Sequence, residues 1–99
     1  MLLNHAVTVA ESRSYIAALA DCARTVEASS AYERALIELD WLHGDDVPAL
    51  DTMGVTDNRD VLMAVATSAV EQLVAYGVDA LQVELLLASL ADARALDEP

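Results

Sequence analysis

One segment near the end of the chain, Asp79–Leu96, limits the fold more strongly than any other. It reads DALQVELLLASLADARAL, contains no glycine or proline, and places leucine or valine around most of the circumference of a helix. A helix at the surface of a globular protein has an apolar stripe on one side only. This helix needs apolar neighbours in several directions, so the sequence predicts an all-α domain with a central C-terminal helix.

The first half of the chain contains two further helical patterns. The segment Leu2–Ala28 has no glycine or proline, and the second pattern covers Ala31–His43. Ser30 and Glu33 have the spacing of a capping box, which predicts that the second helix begins after a break at the serines. Gly44 follows as a helix stop. Ile16 lies beside the apolar face predicted for the first helix, which consists of Leu3, Val7, Ala10, Tyr15, Leu19, Cys22 or Ala23, and Val26.

The second half has two helical patterns separated by a short connection. The third helix is predicted over Asn58–Tyr76, with Asp57 as its N-cap and Gly77 as its stop. Asp79 and Gln82 form another capping-box pattern, at the start of the last helix. Because so few residues separate the two helices, they are predicted to form an antiparallel hairpin.

The chain of 99 residues is therefore predicted to be a single helical domain, residues 1–99, with four main helices. A further short turn of helix is predicted from Asp46 to Met53, where Pro48 is suited to a first helical turn. The third helix is expected to bury a face made of Val61, Leu62, Val65, Ala69, Leu73 and Tyr76.

The charge of the chain excludes several classes of partner. It has 17 acidic and 5 basic residues, all five of them arginine, and a formal net charge of −12. Such a surface repels phosphate, so neither direct nucleic-acid binding nor binding to anionic membranes is expected. A basic protein partner would be attracted. The absence of a long apolar span and of a signal-peptide pattern predicts a cytoplasmic protein.

Residues suited to catalysis or metal binding do not form a recognisable pattern. His5 and His43 are far apart in sequence, and Cys22 lies on an apolar helical face, as expected of a core cysteine. The acids around His43 lack the spacing of a calcium loop, and no His-x-x-x-His or Glu-x-x-His pair occurs. The sequence therefore predicts no enzyme activity, no metal and no cofactor.

The leucine content leads to the main functional prediction. A domain of about 100 residues has a small core, so some of the leucines should contact a second copy or a partner. The chain is predicted to be a small acidic interaction module, an adaptor, regulator or inhibitor that forms a homodimer. Docking is expected through an apolar helix face, with the face Val61–Leu73 as an alternative. The predicted interface residues are Trp41, Leu81, Leu85, Leu86 and Leu90.

A second functional prediction uses the acidic residues. Closely spaced carboxylates can imitate the phosphates of a nucleic acid and occupy the groove of a nucleic-acid-binding protein, as inhibitors encoded by phages do as a class. Binding of this kind should weaken steeply as salt is added. The acidic patch consists of Glu38, Asp40, Asp45, Asp46, Asp51, Asp57 and Asp60.

Overall fold

A computed structural model describes residues 3–43 and 58–97, and the all-α prediction is confirmed there. Of these residues 91% are helical, and none lies in a strand. The predicted stop at Gly44 and the short turn from Asp46 to Met53 lie outside the described residues. The helices are α1 (Leu3–Cys22), α2 (Val26–His43), α3 (Arg59–Gln72), a 3₁₀ turn (Leu73–Tyr76) and α4 (Ala80–Asp97).

The helices form a bundle in which each of them contributes to one core. α1 packs mainly against α3 and α2, and α2 packs mainly against α4. α3 and α4 follow each other in the chain and touch, but their mutual contact is smaller. Each half of the C-terminal hairpin is therefore held chiefly by a helix from the first half. The largest side chains of the core are Ile16, Leu19, Tyr32, Leu39, Leu62, Leu73, Leu86 and Leu90.

The connection between α1 and α2 lies at residues 23–25, earlier than the sequence predicts. The Thr25 hydroxyl accepts a hydrogen bond from the Ala28 N–H at 3.0 Å, which makes Thr25 the N-cap of α2. The same hydroxyl donates to the carbonyl of Leu96 at 3.2 Å, at the end of α4. The predicted capping box of Ser30 and Glu33 is wrong, because a tertiary contact with α4 fixes a different cap.

The buried face of α1 also differs from the prediction. Leu3 and Val7 are 78% and 55% exposed, whereas Ser12 and Ile16 are fully buried. The Ser12 hydroxyl donates to the Thr8 carbonyl at 2.8 Å, one turn earlier, so its burial leaves no unpaired donor. The prediction followed the spacing of apolar residues, whereas α1 also buries the small polar side chains Thr8, Ser12 and Ser14.

The start of α3 is shifted by one residue from the prediction. The side-chain oxygen of Asn58 accepts hydrogen bonds from the N–H groups of Asp60 and Val61 at 3.0 and 3.2 Å. Asn58 is therefore the N-cap, and the prediction of Asp57 is wrong. Asparagine and aspartate cap helices about equally well, so the sequence alone did not separate these neighbours.

The connection from α3 to α4 follows the sequence prediction closely. Gly77 has a φ of 94°, and the N–H groups of Gly77 and Val78 donate to the carbonyls of Val74 and Leu73. These two bonds form a Schellman motif, in which the left-handed position favours glycine. The Asp79 carboxylate then accepts from the Leu81 N–H at 2.8 Å and caps α4.

Candidate functional site

Large apolar side chains are exposed on α2 and on α4, two helices that pack against each other. Ile37 and Trp41 are four residues apart on α2, and Leu81 and Leu85 are four residues apart on α4, so each pair shares one helix face. All four are more than half exposed, and Trp41 is 82% exposed. We call these four residues the α2–α4 surface.

Two grooves lie beside the exposed apolar residues of the α2–α4 surface. One groove, of about 410 Å³, is lined by Trp41 and Ile37, and the other, of about 440 Å³, is lined by Leu85. Both grooves are also lined by Leu42 and Gln82, so they are adjacent. Apolar concave surfaces of this kind accept the side chains of a docked helix.

The predicted interface residues separate into two groups. Trp41, Leu81 and Leu85 are exposed, but Leu86 and Leu90 are each only 1% exposed and lie in the core. The assignment of Leu86 and Leu90 to an interface is therefore corrected, because the side of α4 that carries them packs inside the chain. Leucines occur on most sides of this helix, and only the packing of the helix in the bundle decides which of them are buried.

Ile37 was not predicted as part of the interface, although the sequence carried a signal for it. Ile37 lies one helical turn before Trp41 and therefore shares a helix face with it. The alternative face Val61–Leu73 is largely internal, since Leu73 is fully buried while Val61 is half-exposed. Exposed apolar area is therefore more continuous on the α2–α4 surface than along α3.

Three of the seven residues of the predicted acidic patch are described, and each has a partner in the same chain. Asp45, Asp46, Asp51 and Asp57 lie outside the described residues. The contacts of the other three are Asp40 with Arg13 at 2.8 Å, Glu38 with Ser89 at 3.0 Å, and Asp60 with Arg94 at 3.6 Å. Pairing with arginine makes the Asp40 carboxylate less available to imitate a phosphate, whereas Asp60 is 90% exposed and remains accessible.

A second polar cluster ties the end of α4 to the start of α2. The Asp97 carboxylate accepts from the backbone N–H of Arg24 at 2.6 Å and lies 3.8 Å from Nε of Arg59. The Arg59 guanidinium also donates to the Cys22 carbonyl at 2.9 Å, at the end of α1. In these contacts, the charged side chains of Asp97 and Arg59 connect the ends of neighbouring helices. The Cys22 thiol is half-buried and takes no part in them.

The fold brings together the two histidines that are distant in sequence. Nε2 of His5 lies 3.2 Å from Nε2 of His43, which joins the start of α1 to the end of α2. The His5 ring is stacked on the Tyr76 ring, with centroids 5.1 Å apart and planes within 6° of parallel. This pairing depends on the packing of α1 against α2, so spacing in the sequence gave no signal for it.

In the form of the pair that has one hydrogen on each ring, hydrogen bonding decides which nitrogens carry those hydrogens. Nδ1 of His43 lies 2.9 Å from the Leu39 carbonyl. A carbonyl oxygen only accepts, so Nδ1 of His43 carries a hydrogen and its Nε2 presents a lone pair. Nε2–H of His5 is then the donor of the contact between the rings.

Comparison with protein-family models, with curated proteins and with solved structures finds no match. Within residues 3–43 and 58–97, no three histidine, cysteine, aspartate or glutamate side chains are grouped so that they could hold a metal ion. In the same part of the chain, every helix is too short or too polar to cross a membrane. The geometry of the α2–α4 surface and of the histidine pair is therefore the basis of the proposals below.

Proposed function

We propose that this chain is a non-enzymatic interaction module that forms a homodimer through its α2–α4 surface. The observation that carries the proposal is the exposure of Trp41 beside an apolar groove. Tryptophan is enriched among the residues that contribute most to binding, and it does so when it enters a pocket on the partner. Trp41 and the groove lie on the same surface. In a dimer with a two-fold axis, Trp41 of each copy can therefore enter the groove of the other copy.

Charges near the grooves are arranged to support such pairing. Arg34 lines the groove beside Trp41, whereas Asp92 lines the other groove, and Glu38 lines both. In a two-fold dimer each copy offers both signs of charge at the edge of the interface. Such pairs contribute more to orientation and specificity than to affinity.

The role of phosphate mimic has less support. It requires free carboxylates in a continuous array, while Asp40 is paired with Arg13 and Glu38 accepts a hydrogen bond from Ser89. The two functions respond differently to salt. Association through apolar side chains persists at high ionic strength, whereas attraction between a carboxylate array and a basic groove is screened.

The proposal is tested by measuring mass against concentration with sedimentation velocity. Wild-type protein is expected to shift from monomer to dimer as concentration rises. Since Trp41 is the only tryptophan, its fluorescence should move to shorter wavelength over the same range. Leu85→Glu places a charge on the α2–α4 surface and is expected to remain monomeric.

Val26→Glu provides the matched control. Val26 is 79% exposed in the first turn of α2, away from the grooves, and a glutamate there suits the positive end of the helix dipole. This variant adds the same charge as Leu85→Glu and is expected to dimerise like wild type. A wild-type mass that stays monomeric at every concentration, or equal behaviour of the two variants, would contradict the proposal.

A further inference from the structure

We propose that His5 and His43 form a binding site for a divalent transition-metal ion such as Zn²⁺, with Nε2 of each ring as a ligand. The site is separate from the α2–α4 surface and does not depend on the dimer. Neutral imidazole is the most common protein ligand for such ions. The proposal is based on the distance between the rings and on the contacts that orient them.

The separation of the two nitrogen atoms matches that of two ligands on one ion. Zinc binds imidazole nitrogen at about 2.0–2.1 Å in tetrahedral geometry, which places two such nitrogens about 3.3 Å apart. The observed separation between Nε2 of His5 and Nε2 of His43 is 3.2 Å. Both Nε2 atoms can therefore bind one ion once the rings turn so that their lone pairs point to the same position.

Each ring is held by a contact that restricts its orientation, and that of His43 is typical of metal-binding histidines. The other nitrogen of His43, Nδ1, donates to the Leu39 carbonyl at 2.9 Å. Such an outer hydrogen bond fixes the tautomer that leaves Nε2 free for a metal. The stacking of His5 on Tyr76 restricts the second ring. Three parts of the fold, α1, α2 and the 3₁₀ turn, thus hold the pair before an ion arrives.

Metal binding requires one proton to change position. In the metal-free pair, Nε2 of His5 carries the hydrogen that it donates to His43. On binding, that hydrogen leaves Nε2 of His5 and a hydrogen is taken up at Nδ1, so the ring remains neutral and each Nε2 gives its lone pair to the ion. Both hydrogens are exchanged with water, and no redox step is involved.

The site is open, because the described residues supply two ligands and water would complete the coordination. Structural zinc sites use four protein ligands, whereas an open site binds an exchangeable ion less tightly. The net charge of −12 raises the local concentration of cations around the chain. It also creates weak carboxylate sites, which the experiment has to separate from the histidine pair.

Isothermal titration calorimetry with Zn²⁺ on the full chain tests the site, with Mg²⁺ as the control ion for carboxylates. Wild-type protein is expected to bind one Zn²⁺ per chain even in excess Mg²⁺. His5→Gln keeps an N–H donor near the position of Nε2 but removes the ligand. We expect it to weaken Zn²⁺ binding by at least about tenfold, since even the loss of an outer contact has that effect.

Further measurements test whether the bound Zn²⁺ is held by the histidine pair. Cys22→Ser should bind Zn²⁺ like wild type, which excludes the thiol as the ligand. In NMR spectra, the ring C–H signals of both histidines should shift together as Zn²⁺ is added, while far-UV circular dichroism confirms that His5→Gln is folded. The proposal is overturned if wild type binds no Zn²⁺, if Mg²⁺ displaces it, or if His5→Gln keeps full affinity.

Discussion

The neighbouring leucines Leu85 and Leu86 provide a direct test of how α4 is oriented. Leu86 is 1% exposed and Leu85 is 53% exposed, although the residues are adjacent and chemically identical. Truncation of a buried leucine to alanine lowers the free energy of unfolding by about 2–5 kcal/mol, through lost burial and the cavity left behind. Truncation of an exposed leucine changes it by about 0.5 kcal/mol or less.

The expected difference is large for a domain of this size. A domain of about 100 residues has a total stability of roughly 5–15 kcal/mol, so Leu86→Ala removes a substantial fraction of it. With a urea m-value of about 1.5 kcal/mol/M, a loss of about 3 kcal/mol lowers the unfolding midpoint by about 2 M. Leu85→Ala should leave the midpoint nearly unchanged.

Urea denaturation followed by far-UV circular dichroism measures both variants under identical conditions. The proteins are compared at a concentration where sedimentation shows only monomer, because dimerisation would add stability that depends on concentration. Equal destabilisation by Leu85→Ala and Leu86→Ala would refute the orientation of α4. It would also refute the α2–α4 surface, whose exposed leucines depend on that orientation.

Two further predictions concern the ends of helices. Thr25→Ala removes the hydroxyl that binds the Ala28 N–H, and it should lower the free energy of unfolding by about 1 kcal/mol. Ser30→Ala, within α2, serves as its control and should have little effect in the same urea titration. Equal destabilisation by the two substitutions would contradict Thr25 as the N-cap and favour Ser30. Gly77→Ala places a side chain at a φ of 94° and should destabilise by about 1–2 kcal/mol, measured by thermal denaturation. An unchanged melting temperature would contradict the left-handed conformation.

Local signals in the sequence predicted the second half of the chain better than the first. Gly77 and Asp79 act through backbone geometry and hydrogen bonds within a few residues, so their roles follow from residue type. The cap of α2 depends instead on Thr25 contacting the end of α4. That contact joins residues far apart in sequence and exists only once the bundle is assembled.

The candidate sites show the same division between local and long-range information. Trp41, Leu81 and Leu85 could be selected from the sequence only as large apolar residues, a criterion that selected the buried Leu86 and Leu90 as well. The burial of Leu86 could not, since it depends on which side of α4 meets α2. The contact of His5 with His43 likewise requires the start of α1 to meet the end of α2.

The exposed apolar area on α2 and α4 also limits how tight a dimer can be. Stable interfaces bury about 800 Å² on each partner, whereas an apolar patch made of a few side chains has an area of roughly a few hundred Å². Association also loses translational and rotational freedom, which offsets much of the gain from burying Trp41 and its neighbours. The dimer is therefore expected to be weak and reversible, with dissociation in the micromolar range or above. A dimer that persists at nanomolar concentration would require a larger interface than Ile37, Trp41, Leu81 and Leu85 provide.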